Sequence, residues 1–269
     1  MSNESTKKMM FVALGVCLVC SVLVSTAAVS LHARQQRNKE LDKIKNILIA
    51  GDLYEKGVDS EQIFKEKVEP LHIDLSTGAI LDENEVPDKL SVTKFNIKDI
   101  SEDPDYGQFI EKDKDIARIN RMPGVMLVYV IKSDDKIDKY ILPIYGKGLW
   151  STLYGFIALD SDLETIQGIT FYEHGETPGL GGEVDNPNWK EIWVGKKAFN
   201  EQGNVAITVI KGQVDPTSPK AKYQVDGLSG STLTTRGLDA MVKFWFGESG
   251  YGPFIKNKKS EKGESNEQS

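Results

Sequence analysis

Cysteine is almost missing from this sequence: among 269 residues only Cys17 and Cys20 carry a thiol, and both lie in an apolar N-terminal run. The rest of the chain therefore has no disulfide, no thiol nucleophile and no cysteine-ligated zinc or iron–sulfur centre. Within the apolar run the two thiols read as packing residues. Histidine is scarce too, with only His32, His72 and His174, so a hydrolase triad has few bases to draw on. An excess of positive charge is also lacking, since 33 Lys and Arg against 40 Asp and Glu leave a net charge of −7. No basic face suits nucleic acid. Nor is there a G-x-G-x-x-G run, which argues against a Rossmann-type dinucleotide site.

What remains is ordinary for a globular protein, at 39% hydrophobic and 27% charged residues, with length for one sizeable domain plus appendages. Met9 to Leu31 carries no charge, and about 23 apolar residues suffice to cross a hydrocarbon layer as a helix. This predicts a membrane anchor over 9–31 behind a short cytoplasmic tail, 1–8. A cleavable signal peptide is the rival reading, with Ser25-Thr26-Ala27-Ala28 supplying small residues near its end. Arg34, Arg37 and Lys39 follow the run and Lys7 and Lys8 precede it; counted alone, they favour a cytoplasmic C-terminal side. Large domains often translocate regardless of such charges.

Leu41, Ile44, Ile47 and Leu48 stand at helical spacing and predict a stalk helix after the anchor. A second helix is expected over Ser60–Val68, capped by Ser60 and stopped by Pro70; residues 32–70 thus form a stalk and helical lead-in. From Leu71 onward the texture becomes β. Strand candidates are Val125–Ile131, Tyr140–Tyr145 (Pro143 marking an edge or bulge), Leu153–Leu159, Thr165–Tyr172 and Val205–Ile210. One strong amphipathic helix follows, Thr232–Phe246, with Leu238, Met241, Val242 and Trp245 on one face. The expected fold class is α+β, an antiparallel sheet with flanking helices over residues 71–255. Residues 256–269 are rich in Lys, Glu, Ser and Asn and are expected to be disordered.

The most informative stretch is Asp226-Gly227-Leu228-Ser229-Gly230-Ser231-Thr232-Leu233-Thr234. Glycines allow a tight turn and hydroxyl residues lead into the helix, whose first N–H groups and positive dipole end suit a phosphate. Ser229 or Ser231 as a plain N-cap explains the same residues. The nucleophile-elbow pattern G-x-S-x-G fails at its last position, because Ser231 replaces the second glycine.

Asp226 to Thr232 resembles the D-x-x-[ST]-G-A-T flavinylation motif of the FMN-binding domain family, with Ser231 where Ala is usual. The resemblance implies FMN joined through its phosphate to the Thr232 oxygen, installed from FAD by a separate Mg²⁺-dependent flavin transferase. His174-Gly175-Glu176-Thr177-Pro178-Gly179-Leu180-Gly181-Gly182 is similar to the family's flavin-facing loop, although by itself Pro-Gly before Gly-Gly is simply a loop. By that likeness Glu176, Thr177, Leu180 and Gly181 are cofactor-binding positions. Asp226, Ser229, Gly230, Leu233 and Thr234 join them from the motif; His174 is left out as incidental.

Gly146-Lys147-Gly148-Leu149-Trp150-Ser151, Pro187-Asn188-Trp189-Lys190 and Gly250–Ile255 resemble the flavin subunits of sodium-translocating NADH:quinone reductases more than those of Rnf-type complexes. This adds Leu149 and Trp150 as ring contacts and Lys211 as a partner for flavin oxygens or phosphate. The resemblance implies an electron-carrier subunit in a bacterial inner membrane, its C-terminal domain periplasmic, relaying electrons from NADH towards quinone alongside other subunits. The alternatives are the related flavin subunit of an Rnf-type electron-transport complex and a tethered anion-binding module without redox role.

Overall fold

The computed structural model describes residues 6–92, 94–133 and 136–267. Of the expected tails, residues 1–5 and 268–269 lie outside the described residues. A single helix, α1 (Thr6–Ala50), covers both the apolar run and the stalk. It contains an 18-residue window of mean hydropathy 2.5, long and apolar enough to cross a membrane. The chain divides into two compact units at residues 43 and 44. The second unit therefore begins inside α1, well before the expected boundary at Leu71. The reason is packing: Ile47, Leu48 and Ala50 are buried in its core.

The remaining elements are α2 (Ser60–Lys67), β1 (Val68–Asp74), β2 (Ile80–Leu81), α3 (Ile97–Glu102), β3 (Gly107–Phe109), β4 (Arg121–Pro123), β5 (Val125–Ser133), β6 (Lys136–Lys147), β7 (Thr152–Asp160), β8 (Ile166–Glu173), α4 (Pro187–Glu191), β9 (Thr208–Val209), β10 (Gln224–Val225), α5 (Thr232–Phe246) and α6 (Gly252–Glu267). The cap of α2 is Asp59 rather than Ser60, its carboxylate accepting the Glu61 N–H at 2.9 Å. Six strands form the main sheet in the order β2-β1-β5-β6-β7-β8. Every neighbouring pair is antiparallel, as expected for the α+β class.

Consecutive residues of β5 and β6 are buried, so both faces of the sheet centre are covered; this is why those strands read as unbroken apolar runs rather than alternating ones. Pro143 lies in central β6, paired with Phe156 of β7. The β5 pairing ends at Ile141, and the Pro143 carbonyl instead accepts the Tyr251 hydroxyl at 2.7 Å. Locally it is an edge residue, and no ladder N–H is missed.

Helix α5 runs along β6. Gly237 permits the approach, since a Cβ there would lie 2.3 Å from the Lys147 oxygen, and Gly146 faces Met241 in the same way. The Trp245 indole donates to the Tyr145 carbonyl at 2.7 Å. Of the expected strand 205–210, Thr208–Val209 forms a strand, paired in parallel with Gln224–Val225, and Val205 makes an isolated antiparallel bridge to Phe199. Residues 252–267 are helical, not disordered. Phe254 and Ile255 anchor that helix in the core, and Asn257 donates to the Thr77 carbonyl at 3.0 Å. Tertiary contacts override a polar composition there.

Candidate functional site

At the start of α5 the helix is open. Ser231 occupies the N-cap position but makes no capping hydrogen bond. Its hydroxyl donates to the Thr234 hydroxyl at 2.9 Å, which in turn donates to a Glu176 carboxylate oxygen at 2.6 Å. The helix entry therefore keeps its positive end free of a side-chain acceptor, and the plain-cap explanation of Ser229 and Ser231 does not hold. Thr232 stands exposed at the first helical position, beside exposed Ser229 and Gly230. Gly230 has φ +72°, a left-handed turn conformation that suits glycine.

Glu176 is the hub beneath this entry. It is 5% exposed, yet its carboxylate accepts the N–H groups of Leu149 at 3.2 Å, Trp150 at 2.9 Å and Ser151 at 3.1 Å. Burial pushes its pKa up, but the bonds from Thr234, Trp150, Ser151 and Leu149 outweigh that and hold the carboxyl below its usual range. Both oxygens are committed to protein donors. Glu176 thus ties the Gly148–Ser151 turn to α5; its carboxylate faces the protein. The surrounding glycines leave room for it, because a Cβ on Gly181 or Gly148 would come within 2.7 or 2.6 Å of its oxygens.

The same ties assemble four large apolar residues that the fold leaves in solvent: Leu149 at 40% exposure, Trp150 at 67%, Leu180 at 43% and Leu233 at 54%. Leu180 reaches Gly230, whose Cβ position lies 3.0 Å from its Cδ2. Thr177 carries the loop closure, its carbonyl accepting the Leu180 and Gly182 N–H groups at 3.1 and 2.9 Å. An apolar rim beside a free helix N-terminus and an exposed hydroxyl residue suits a flat ring bearing a phosphate.

Two expected residues have different surroundings. Asp226 is half-buried; its carboxylate accepts the Val214 N–H at 2.8 Å and its carbonyl accepts the Trp189 indole at 2.9 Å. It braces the turn. Lys211 is exposed and makes no hydrogen bond or ion pair among the described residues. Its neighbours Ile210 and Gly212 bond to Val225 and Gly227, so the lysine borders the entry to the motif. His174, set aside on sequence, proves half-buried and bonded to both Asp185 and the Glu176 backbone.

The FMN-binding domain family matches residues 148–247, the span that holds every candidate position. The chain is 45% identical over 259 residues to the NqrC subunit of the Na⁺-translocating NADH-quinone reductase of Pseudomonas aeruginosa, covering 95% of this chain and 97% of that one. Its identity to the corresponding Yersinia pestis subunit is 43%, over 95% and 94% of the two chains. The crystal structure of Shewanella oneidensis NqrC superposes with a TM-score of 0.74 at 34% identity, over 83% of this chain and 99% of that one.

Proposed function

The chain belongs to the NqrC family of Na⁺-translocating NADH-quinone reductase subunits, and from that premise we propose that it is the covalent-FMN electron carrier of such an enzyme, with the flavin phosphate esterified to the Thr232 hydroxyl. The observation that carries this reading is the exposed threonine at an uncapped helix start, bordered by exposed Leu149, Trp150, Leu180 and Leu233. When bound, FMN supplies the redox chemistry. The protein supplies position. Covering about 200 Å² of apolar surface contributes about 5 kcal/mol. A helix N-terminus offers an exposed anion only about 0.3–1 kcal/mol. The apolar rim therefore holds the ring, while the helix N–H groups and Lys211 orient the phosphate.

Electrons pass through this chain from NADH towards quinone, with other subunits of the complex oxidising NADH and moving sodium. A flavin transferase loads the cofactor. Helix α1 serves as a single-pass anchor in the inner membrane, and the domain from Ile44 onward lies on the periplasmic side. Protease added to intact spheroplasts is expected to digest that domain; full protection would reverse the orientation.

An anion-binding module without redox role has no use for four exposed apolar side chains around its phosphate site. The Rnf-type alternative is disfavoured by NqrC relatives matching 94–95% of the chain. Trypsin cuts after Lys222 and Arg236, and in protein matured with the transferase the FMN mass is expected on the 223–236 peptide. An adduct on any other peptide would refute attachment at Thr232.

A further inference from the structure

His174 joins two parts of the flavin-facing loop through opposite edges of one imidazole. Its Nε2 lies 2.8 Å from an Asp185 carboxylate oxygen, and its Nδ1 lies 3.2 Å from the Glu176 backbone nitrogen. An N–H can only donate, so Nδ1 is the acceptor and Nε2 carries the proton: the ring is neutral in this arrangement. Next to it the Gly175 N–H donates to the Ser151 hydroxyl at 2.7 Å. A continuous hydrogen-bonded path thus runs from Asp185 through His174 and Glu176 to the Leu149–Ser151 turn and, through Thr234, to the start of α5. The Asp185 end is also reached by the Lys190 ammonium at 3.7 Å.

Resting on the flavin reading above, we propose that His174 is a positioning residue whose neutral Nε2–H tautomer latches the Glu176 loop against the flavin platform, and whose protonation releases it. A proton on Nδ1 would face the Glu176 N–H donor to donor, so the ring must turn away or the loop must move. The charged groups facing the imidazole are Asp185, Glu176 and Lys190. The Asp185 hydrogen bond raises its pKa and burial lowers it, with a net rise. The ion pair with Asp185 therefore contributes below the free-imidazole value and fades as pH rises through the raised one. The Glu176 bond does the opposite: it needs an unprotonated Nδ1, so it is lost and the loop loosens as His174 takes up a proton.

The test uses the full-length chain in detergent, flavinylated and as Thr232→Ala, each with and without His174→Gln. Imidazole ¹⁵N spectra, with His174 identified by its loss in the variant, are expected to show the Nε2–H tautomer at high pH. In Thr232→Ala protein, hydrogen exchange over 149–151 and 174–177, corrected for intrinsic rates, is expected to rise about fivefold as His174 protonates, the factor for one hydrogen bond of ordinary net strength. His174→Gln should remove that step. In flavinylated protein the flavin midpoint potential should shift with the same titration, and the variant should abolish the shift while keeping the adduct. An Nδ1–H tautomer, an exchange step that persists in the variant, or a potential with the same pH profile in both proteins would each overturn the proposal. Absence of flavin from matured wild-type protein would instead refute the flavin reading, and the exchange step in Thr232→Ala would remain.

Discussion

The two carboxylate oxygens of Glu176 take hydrogen bonds from three backbone N–H groups and one threonine. Glu176→Gln turns an amide N–H₂ towards some of those donors. The expected cost is about 2 kcal/mol at pH 7, the scale for a buried charged group losing partners. Because the folded pKa is lowered, the wild-type advantage is present above the ordinary value of 4.5 and is lost as pH falls through the folded value. Urea unfolding of both proteins at pH 7 and about pH 3 checks this, with the gap narrowing in acid. At this scale the sequence was legible where a motif names a residue by type. Thr232 stands at the first helical position and Leu149, Trp150, Leu180 and Leu233 are all left in solvent. It was not legible for His174, because its value depends on Asp185, which reaches it only through the folding of the intervening loop. Asp226 proved a brace for Val214 and Trp189, partners that lie 12 and 37 residues away in the chain.

Helix α5 meets β6 at Gly237, where backbone touches backbone. Gly237→Ala gains about 1 kcal/mol of helix propensity. It also places a methyl 2.3 Å from the Lys147 oxygen and 3.2 Å from the Gly148 Cα, and overpacking against backbone costs about 1–3 kcal/mol. The clash is expected to win: the variant should unfold at lower urea concentration and take up less flavin, because the Gly148–Ser151 turn shifts with the helix. An unchanged midpoint would show that α5 and β6 have slack. Elements with strong patterning were readable beforehand, namely α5 and the buried strands β5 to β8. Short ones were not. Strand β9 stops at two residues because its partner β10 offers only two, and α6 looked like a polar tail because its anchors Phe254 and Ile255 precede the charged stretch.

Across the whole molecule, the folded unit begins at Ile44, inside the long N-terminal helix. A chain starting at residue 44 is expected to fold as a soluble domain. One starting at Gly51 loses Ile47 and Leu48, exposed by only 1% and 0%. At about 2 kcal/mol or more each, and about 2–4 °C per kcal/mol at this size, its melting temperature should fall by on the order of 10 °C. Equal melting temperatures would return the stalk to a mere spacer. Composition could not reveal this boundary, since the same helical spacing serves a free stalk and a core helix. In the function proposed above, electron transfer turns on a redox ring fastened to one threonine. The most direct measurement is ultraviolet fluorescence in a denaturing gel, of the full chain matured in a host with the transferase and of Thr232→Ala made alongside. Attachment at Thr232 predicts a bright band for the former and a dark band for the latter; a dark wild-type band, or a bright variant, would contradict it.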